Sequence, residues 1–426
     1  MRILKGFLIS NSRLRGCTPA AAIMLWCLAG GAVAPAAPAK DSCVACHSQL
    51  PGQFGKPAKL FPDDIHQQAG LSCADCHGGD RGDESMNAMS PAKGFRGAPA
   101  RAQIPELCGR CHSDPAYMRK FNPGLRTDQA SQYFTSIHGK RLKQGDVKVA
   151  VCVDCHSVHN IYAPSDPRAP VHPTHVAETC ARCHADANYM KGYKIPTNQY
   201  ELYKKSVHAA AMANGDVSAP TCTTCHGNHG ATPPGVSSVA NVCGTCHVMN
   251  QQLFEKSPHG SIFARMGLPG CVQCHSNHEI LAPDDSWAGI GPKSICVTCH
   301  VKGDNGYKAA EEISAGFDKL GTAYNDADGV LNKAEKSGME VSSARVEMAD
   351  AHSDLIKARV AVHSFNAAEV LKVINQGIET SHKGYEAGIA ALKERDYRRK
   401  GLAIALIAIV IAISGLYLKI RRMGRD

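Results

Sequence analysis

The cysteines of this chain recur in one pattern that can do chemistry. Eighteen of the 20 cysteines belong to nine copies of Cys-x-x-Cys-His, which we number motif 1 to motif 9 in chain order. The cysteine pairs are Cys43/Cys46, Cys73/Cys76, Cys108/Cys111, Cys152/Cys155, Cys180/Cys183, Cys222/Cys225, Cys243/Cys246, Cys271/Cys274 and Cys296/Cys299. The histidines that close the motifs are His47, His77, His112, His156, His184, His226, His247, His275 and His300.

This spacing is typical of c-type haem attachment. Two thiols separated by two residues can form thioether bonds to the two vinyl groups on one edge of a haem, and the next residue can then bind the iron from the proximal side. The nine motifs therefore predict nine covalently bound haem c groups.

Zinc binding and disulfide bonding are the alternatives for paired cysteines. Zinc sites do not require a histidine at the fifth position of every unit, and a disulfide framework predicts varied rather than constant spacings. The constant motif therefore favours haem. Cys17 and Cys27 lie near the N-terminus and do not join the pattern.

Motifs 2 to 9 form an internal repeat with two motifs in each of four copies. Copies 2 to 4 begin with Ser-x-His, and their first motif continues to Cys-x-x-Cys-His-x-x-His. We call the histidines that begin the four copies the upstream histidines: His66, His138, His208 and His259. The downstream histidines lie three residues after a motif: His159, His229 and His278. Repeat 1 has no downstream histidine, because Gly78-Gly79-Asp80 follows His77.

Recurrence at the same place in each repeat predicts that these seven histidines bind haem iron from the distal side. Two irons then need ligands from the histidines left over: His172, His175, His352, His363 and His382. We favour His363, because it lies in an apolar stretch that is expected to pack against the haem region. Met118 or Met190 is an alternative ligand that would raise one reduction potential. On this count every iron is expected to have two axial ligands.

The haem region is predicted to have little regular secondary structure. Nine haems between residues 43 and 300 leave about 29 residues each, too few for a conventional single-haem domain. The aromatic content of 6% is also low for a conventional core. We therefore predict a multihaem cytochrome c fold over residues 40–305, in which the polypeptide wraps thinly around a packed haem chain.

A segment without cysteine follows the haem region. Residues 306–400 carry apolar residues at alternating steps of three and four, with one break near Ser337-Gly338, which predicts an all-α helical hairpin or bundle. Packing against the haem domain is the favoured role, and a stalk or docking surface is the alternative. Residues 401–418 form an uncharged apolar run just long enough for one transmembrane helix, and a buried core helix is the alternative. Residues 419–426 would form a cytoplasmic tail.

The N-terminal residues 1–39 predict a signal peptide, with a basic start, an apolar stretch and a small-residue cleavage site. An uncleaved anchor is the alternative. Basic residues flank residues 401–418 on both sides, so the positive-inside rule does not orient the span. Haem attachment on the outer face of the membrane predicts a periplasmic haem domain anchored in the inner (cytoplasmic) membrane. The net charge is +9, but the basic residues do not form a stripe along the sequence. This argues against a nucleic-acid partner.

The sequence resembles a known family in its doubled motifs and in two blocks around them. These blocks run from His172-Pro-Thr-His175 to His184 and from Cys222 through Gly227-Asn-His229 to Gly235. They are similar to the membrane-anchored, periplasmic multihaem c-type cytochromes of anaerobic respiration, of the cytochrome c3 type. The resemblance implies electron transfer between quinol oxidation or a dehydrogenase at the membrane and periplasmic or extracellular acceptors. The expected partners are a membrane quinol-oxidising subunit or another inner-membrane redox partner, periplasmic cytochromes and the lipid bilayer.

An enzyme is the alternative to an electron carrier. A multihaem reductase or oxidase of a small nitrogen or sulfur compound would keep one iron open for substrate. Multihaem nitrite reductases often mark that haem with lysine in place of the proximal histidine, and no Cys-x-x-Cys-Lys occurs in this chain. The sequence therefore favours an electron carrier without catalytic residues.

Overall fold

A computed structural model of the chain describes residues 41–233 and 235–424, so the signal peptide predicted over residues 1–39 lies outside the described residues. Within these ranges the chain is helical and no strand occurs. The helices of the haem region are α1 (Ser42–His47), α2 (Gly52–Leu60), α3 (Ile65–Gln68), α4 (Cys73–His77), α5 (Ile104–His112), α6 (Pro115–Met118), α7 (Gln129–Tyr133), α8 (Ile137–Lys143), α9 (Cys152–His156), α10 (Pro173–His184), α11 (Gln199–Lys204), α12 (Val207–Ala213), α13 (Cys222–His226), α14 (Val248–Lys256), α15 (Pro258–Met266) and α16 (Val272–His275). Short 3-10 turns lie between them, at Phe61–Asp63, Met86–Met89, Pro91–Lys93, Arg101–Gln103, Val239–Thr245, Asp285–Trp287 and Cys296–Thr298.

Seven of the nine motifs lie on short α-helices that end at the motif histidine. Motif 7 and motif 9 lie on 3-10 turns instead. In each repeat the residue after the first motif adopts a left-handed conformation, which ends the helix and turns the chain away from the histidine. These residues are Gly78, Ser157, Gly227 and Ser276, with φ of 73°, 70°, 78° and 63°. Repeat 1 therefore keeps the turn of the other three repeats, although it lacks their downstream histidine.

The haem region buries little apolar side chain of its own. Its main cluster of buried residues contains Tyr133, Leu142, Val149 and Val151. A conventional domain of this length would bury a much larger apolar core. This sparse packing fits a thin polypeptide wrapping, but the sixteen short helices within its described residues give the region more regular secondary structure than the sequence predicted.

Three long helices follow the haem region: α17 (Asn305–Lys336), α18 (Ser342–Ala361) and α19 (Ala367–Met423). The α17 and α18 helices both pack along α19, which makes a three-helix bundle rather than a hairpin. One end of the bundle core contains Phe317, Leu320 and Ile374, and the other contains Leu331 and Met348.

Glycines on α19 allow this close packing. A Cβ atom at Gly384 would lie 2.7 Å from Met348 Sδ, and one at Gly388 would lie 2.7 Å from Val330 Cγ1. At Gly384 and Gly388 there is therefore no room for a side chain between α19 and the other two helices.

The sequence predicted only one of the two breaks between these helices. Gly338 has φ of 79° at the predicted break after α17. The second break, between α18 and α19, passes through the 3-10 turn Val362–Ser364 and then Phe365, whose φ is 52°. A bulky residue seldom adopts this conformation. The residue type therefore did not predict a helix break at Phe365. Contacts with the haem region, described below, accompany this break.

The end of α19 is long and apolar enough to cross a bilayer. Residues 401–418 are exposed along their whole length and pack on no other part of the described chain. The alternative of a buried core helix is therefore wrong for this chain on its own. A membrane is the environment that such a surface favours.

Truncation before Gly401 tests this topology. Because residues 401–418 are the exposed apolar segment, we expect the truncated chain to be released as a soluble, haem-replete protein. Cell fractionation with detection of covalent haem measures the result. If the truncated chain stays in the membrane fraction, the N-terminal residues 1–39 form an uncleaved anchor instead.

Candidate haem sites

Histidine rings lie in pairs along the haem region. We use 'site n' for the place at which motif n would bind its haem. At seven sites the motif histidine faces a second histidine ring, with 5.9–6.1 Å between the ring centroids. The pairs are His77–His159, His112–His66, His156–His229, His184–His138, His226–His278, His275–His363 and His300–His259.

At site 7 the upstream His208 lies near His247, without the ring contact of the seven pairs. These two rings are close enough for the charge of His247 to add to burial in lowering the pKa of His208. Every upstream and every downstream histidine therefore lies near a motif histidine.

The ring separations fit an iron bound on both faces of a haem. Bonds of about 2 Å from a metal to each imidazole nitrogen place the two ring centroids about 6 Å apart. The residues present therefore fit two-histidine ligation at these sites. No cluster of three or more metal-ligating side chains occurs in the described residues.

The motif cysteines differ in exposure, although their sequence pattern is constant. The first cysteine is partly buried in all nine motifs. The second cysteine is partly buried in motifs 3, 4, 5, 6 and 8, but it is exposed in motifs 1, 2, 7 and 9, at Cys46, Cys76, Cys246 and Cys299. The motifs near the two ends of the region are therefore less enclosed by polypeptide than those in the middle, a difference that the sequence did not predict.

Hydroxyl groups contact four of the second cysteines. The Tyr117 hydroxyl lies against the Cys111 thiol, and the equivalent Tyr189 hydroxyl lies against the Cys183 thiol. In motifs 7 and 9 the preceding threonine takes this place, with Oγ1 3.9 Å from Cys246 Sγ and 3.7 Å from Cys299 Sγ. These contacts orient the thiols without forming a metal site. Thioether attachment at all eighteen motif cysteines stays a prediction, which the haem count below tests.

The ring pairs follow a rule that the sequence did not reveal. Each upstream histidine faces the second motif of its own repeat, as His66 faces His112 and His138 faces His184. Each downstream histidine instead faces the first motif of the preceding repeat, as His159 faces His77. Adjacent repeats are therefore interlocked, because each reaches back to complete a site of the one before.

Backbone hydrogen bonds hold the interlocked loops in register. The N–H of Ile65 donates to the carbonyl of Ile161 at 2.8 Å, and the N–H of Val207 donates to the carbonyl of Ile280 at 2.8 Å. In both cases the donor directly precedes an upstream histidine, and the acceptor lies two residues after a downstream histidine. The same contact thus recurs at two of the junctions between repeats.

The residue two positions before each upstream histidine is buried in all four repeats. These residues are Asp64, Ser136, Ser206 and Ser257, and each caps the helix that carries the histidine. Asp64 also contacts His66 Nδ1 at 2.8 Å and accepts from the N–H of Ile161 at 2.7 Å. Its exposure of only 2% makes it a buried junction residue. The Ser-x-His pattern of the other repeats was the signal that pointed to this position.

Several rings have their Nδ1 atom fixed by a neighbouring acceptor. His77 Nδ1 lies 2.8 Å from the carbonyl of Gly97, and His363 Nδ1 lies 3.0 Å from the carbonyl of Val360. Such a contact fixes the tautomer and leaves Nε2 as the nitrogen that can bind metal. In His363 this nitrogen also lies 3.3 Å from Asn250 Nδ2. Burial lowers the pKa of His156 to about 4, with further lowering from His229 and His112. The imidazole is therefore neutral at physiological pH, as metal binding requires.

The motifs lie next to one another in chain order. The Cys108 and Cys152 thiols of motifs 3 and 4 are in hydrogen-bonding contact, as are Cys180 and Cys222 of motifs 5 and 6 and Cys243 and Cys271 of motifs 7 and 8. Arginines bridge two of the other junctions. Arg110 of motif 3 donates to the carbonyl of Cys76 at 3.3 Å, and Arg182 of motif 5 donates to the carbonyl of Asp154 at 2.6 Å. The sites thus form a row that follows the sequence.

The turn between α18 and α19 inserts into the last two sites of this row. His363 faces His275 of motif 8, and Phe365 packs on the upstream His259 with 3.9 Å between ring centroids. Arg359 forms a bidentate ion pair with Asp285, at 2.7 and 2.9 Å. The bundle is therefore joined to sites 8 and 9.

The remaining candidate ligands are not paired with a motif histidine. The rings of His172 and His175 lie 6.0 Å from each other, and His352 packs on Tyr324 in the bundle. His382 is exposed on α19. Met118 and Met190 are both buried. At site 1, His47 Nδ1 lies 3.0 Å from the carbonyl of Phe54, and no histidine ring faces His47 at the spacing of the seven pairs. All 21 histidines lie within the described residues.

Comparison with known proteins places part of this arrangement in a family. Residues 65–184 match the family model described as Cytochrome c3. The matched segment begins just before His66 and ends at His184, so it contains the four motifs of repeats 1 and 2. Searches of curated proteins and of solved structures found no match.

The match supports a multihaem c-type cytochrome family for this part of the chain. The matched segment is of the cytochrome c3 family, which implies covalently bound haem c and a part in electron transfer.

Replacement of Asp64 tests the junction between repeats 1 and 2. Asp64→Ala removes a helix cap and leaves the buried N–H of Ile161 without its acceptor, so we expect the free energy of unfolding to fall by about 2 to 4 kcal/mol. Chemical denaturation followed by haem absorbance measures the change.

Two control variants accompany it. Asp64→Ser restores the cap of the other repeats and should recover part of the loss. Asp63→Ala removes an exposed carboxylate whose ion pair with Arg168 is 3.8 Å long, and should change stability little. An equal loss at both aspartates would contradict the role given to Asp64.

Proposed function

We propose that this chain is a nonahaem electron carrier of anaerobic respiration. It would pass electrons between quinol oxidation or a dehydrogenase at the inner membrane and periplasmic or extracellular acceptors. The observation that carries the proposal is the row of motifs in chain order from site 1 to site 9, with paired histidine rings at seven of the sites. Haem c supplies reversible one-electron redox chemistry, and a row of closely spaced haems gives a continuous path for electrons.

The ring pairs supply the axial ligands in this proposal. Upstream histidines serve sites 3, 5, 7 and 9, and downstream histidines serve sites 2, 4 and 6. His363 serves site 8 from the helical bundle. Ligation by two histidines gives lower potentials than ligation by histidine and methionine, which suits electrons from menaquinol-like donors.

The location follows from the haem chemistry and from α19. Covalent haem attachment takes place on the outer face of the inner membrane, so the haem domain would lie in the periplasm. Residues 401–418 would cross the bilayer and leave residues 419–426 in the cytoplasm. The partners of such a chain are a quinol-oxidising subunit or another redox protein of the same membrane, together with periplasmic cytochromes.

The paired rings favour a carrier over a reductase or oxidase. An enzyme that acts on a small nitrogen or sulfur compound needs an iron with one free axial position. The chain offers two histidines at eight sites, so substrate chemistry is disfavoured there. Site 1 differs, because no histidine ring faces His47 at the spacing of the seven pairs.

Counting the haems tests the proposal most directly. We expect the intact mass of the purified chain to exceed the mass of the processed polypeptide by nine haem groups, and reductive titration to take up nine electrons per chain. Eight or fewer haems on a chain with all motifs intact would contradict it. A nine-haem protein with catalytic turnover of nitrite, hydroxylamine or sulfite at a substantial rate would favour the enzyme instead.

Replacement of His363 tests whether the helical bundle supplies the second axial ligand of site 8. His363→Ala removes the ring opposite His275, so we expect about one of the nine ferric haems to change from low spin to high spin. Electron paramagnetic resonance of the oxidised full-length protein measures the change.

The control is His382→Ala on the exposed surface of α19, which should leave all spin states as in the parent. Unchanged spin states in His363→Ala, with nine haems still attached, would exclude His363 as a ligand.

A further inference from the structure

Site 1 departs from the rule that the other first-motif sites obey. Sites 2, 4 and 6 each receive their second ring from the repeat that follows. The ring comes from the residue three positions after the histidine of that repeat's first motif. In repeats 2, 3 and 4 this position is His159, His229 and His278. In repeat 1 the same position is Asp80. The question is whether this position reaches site 1 as its counterparts reach sites 2, 4 and 6.

The loop of repeat 1 docks on motif 1. The N–H of Ser42, directly before Cys43, donates to the carbonyl of Arg81 at 2.9 Å. The helices of motifs 1 and 2 also pack against each other. Gly78 keeps the left-handed turn that begins the loop in every repeat. Repeat 1 therefore reaches back to motif 1 as each later repeat reaches back to its predecessor, but it brings a carboxylate instead of an imidazole.

The Asp80 side chain is held within its own loop. It accepts hydrogen bonds from the N–H of Gly82 at 2.9 Å and from Lys93 Nζ at 3.0 Å. Lys93 also contacts Asp83 at 2.6 Å. The Asp80 side chain is 48% exposed. These contacts direct the carboxylate to Lys93 and to solvent.

Neither His172 nor His175 is paired with a motif histidine, and their rings lie 6.0 Å from each other. His172 Nδ1 lies 2.7 Å from Thr174 Oγ1 within one helix cap, and His175 Nδ1 lies 3.1 Å from the carbonyl of Ala169. His352 and His382 belong to the bundle, which joins the opposite end of the row. His47 itself has Nδ1 fixed by the carbonyl of Phe54 and is oriented to bind iron through Nε2.

We propose that the iron of site 1 has no second histidine ligand and is open on its distal side to a small neutral ligand, with carbon monoxide as the probe. This inference rests on the proposed nonahaem function and revises the expectation that every iron has two protein ligands. Arg81 and Lys93 lie beside Asp41, Asp80 and Asp83, so charges of both signs surround the motif and its docked loop. Site 1 would then be both the end of the row and the one place where a small molecule meets an iron.

Carbon monoxide titration of the reduced full-length protein tests the inference. Iron with two histidine ligands binds carbon monoxide poorly, so we expect one molecule bound per nine-haem chain. Asp80→His supplies the ring that repeats 2 to 4 possess, and we expect it to reduce carbon monoxide binding at least tenfold. The same variant should remove a high-spin ferric signal from the electron paramagnetic resonance spectrum of the oxidised protein.

Two controls separate the first site from its neighbours. Asp83→His places the same ring on the same loop, three residues beyond the required position, and should leave binding at one per chain. His175→Ala should also leave binding unchanged. If the parent protein binds no carbon monoxide and His175→Ala creates a binding site, His175 is the distal ligand and the inference is wrong.

The remaining outcomes are equally decisive. More than one molecule bound per chain, or an unchanged amount in Asp80→His, would overturn the assignment to site 1. A nine-haem chain that binds none would overturn this inference and leave the carrier proposal standing. A chain that lacks the haem of motif 1 would overturn the nine-haem count as well.

Discussion

The arrangement of this protein depends on a histidine ring that one repeat presents to a motif of another. His159, His229 and His278 each reach back across a junction, and each faces a motif histidine about 6.1 Å away. A polypeptide that buries few apolar side chains has little else to hold its repeats together. Metal coordination between repeats would take the place of the hydrophobic core, so that haem attachment and folding become one process.

The same requirement explains how the helical bundle joins the haem region. Repeat 4 is the last repeat, so no later repeat exists to present a ring to His275 of motif 8. His363, on the turn between α18 and α19, occupies that place. The strained conformation of Phe365 is understandable here, because its ring packs directly on His259. The bundle thus supplies the histidine ring that a fifth repeat would otherwise supply.

Much of this arrangement could be predicted from the sequence, because residue types and their spacing are enough to recognise the motif and the repeat. The seven recurring histidines and His363 stand out by position or by their apolar surroundings, and each lies near a motif histidine. The pairing between repeats could not be predicted, since spacing says that a histidine recurs but not which repeat it faces. Asp64 was overlooked because its repeat has aspartate where the others have serine. The turn at Phe365 was missed because a phenylalanine does not ordinarily end a helix.

The unbroken course of α19 has a consequence for the distance that electrons must travel. The turn between α17 and α18 lies beside the lower part of this helix, where Arg395 donates to Ser337 Oγ at 3.2 Å. His363 lies at the other end, and the helix between Ala367 and Lys400 is about 50 Å long at 1.5 Å per residue. If residues 401–418 lie in the bilayer and α19 stands upright, sites 8 and 9 are held far above the membrane surface. Because tunnelling falls off exponentially with distance, a quinol in the bilayer could not reduce them directly. The partner would have to carry a redox group of its own to that height, and the length of α19 would select which membrane proteins can act as donors.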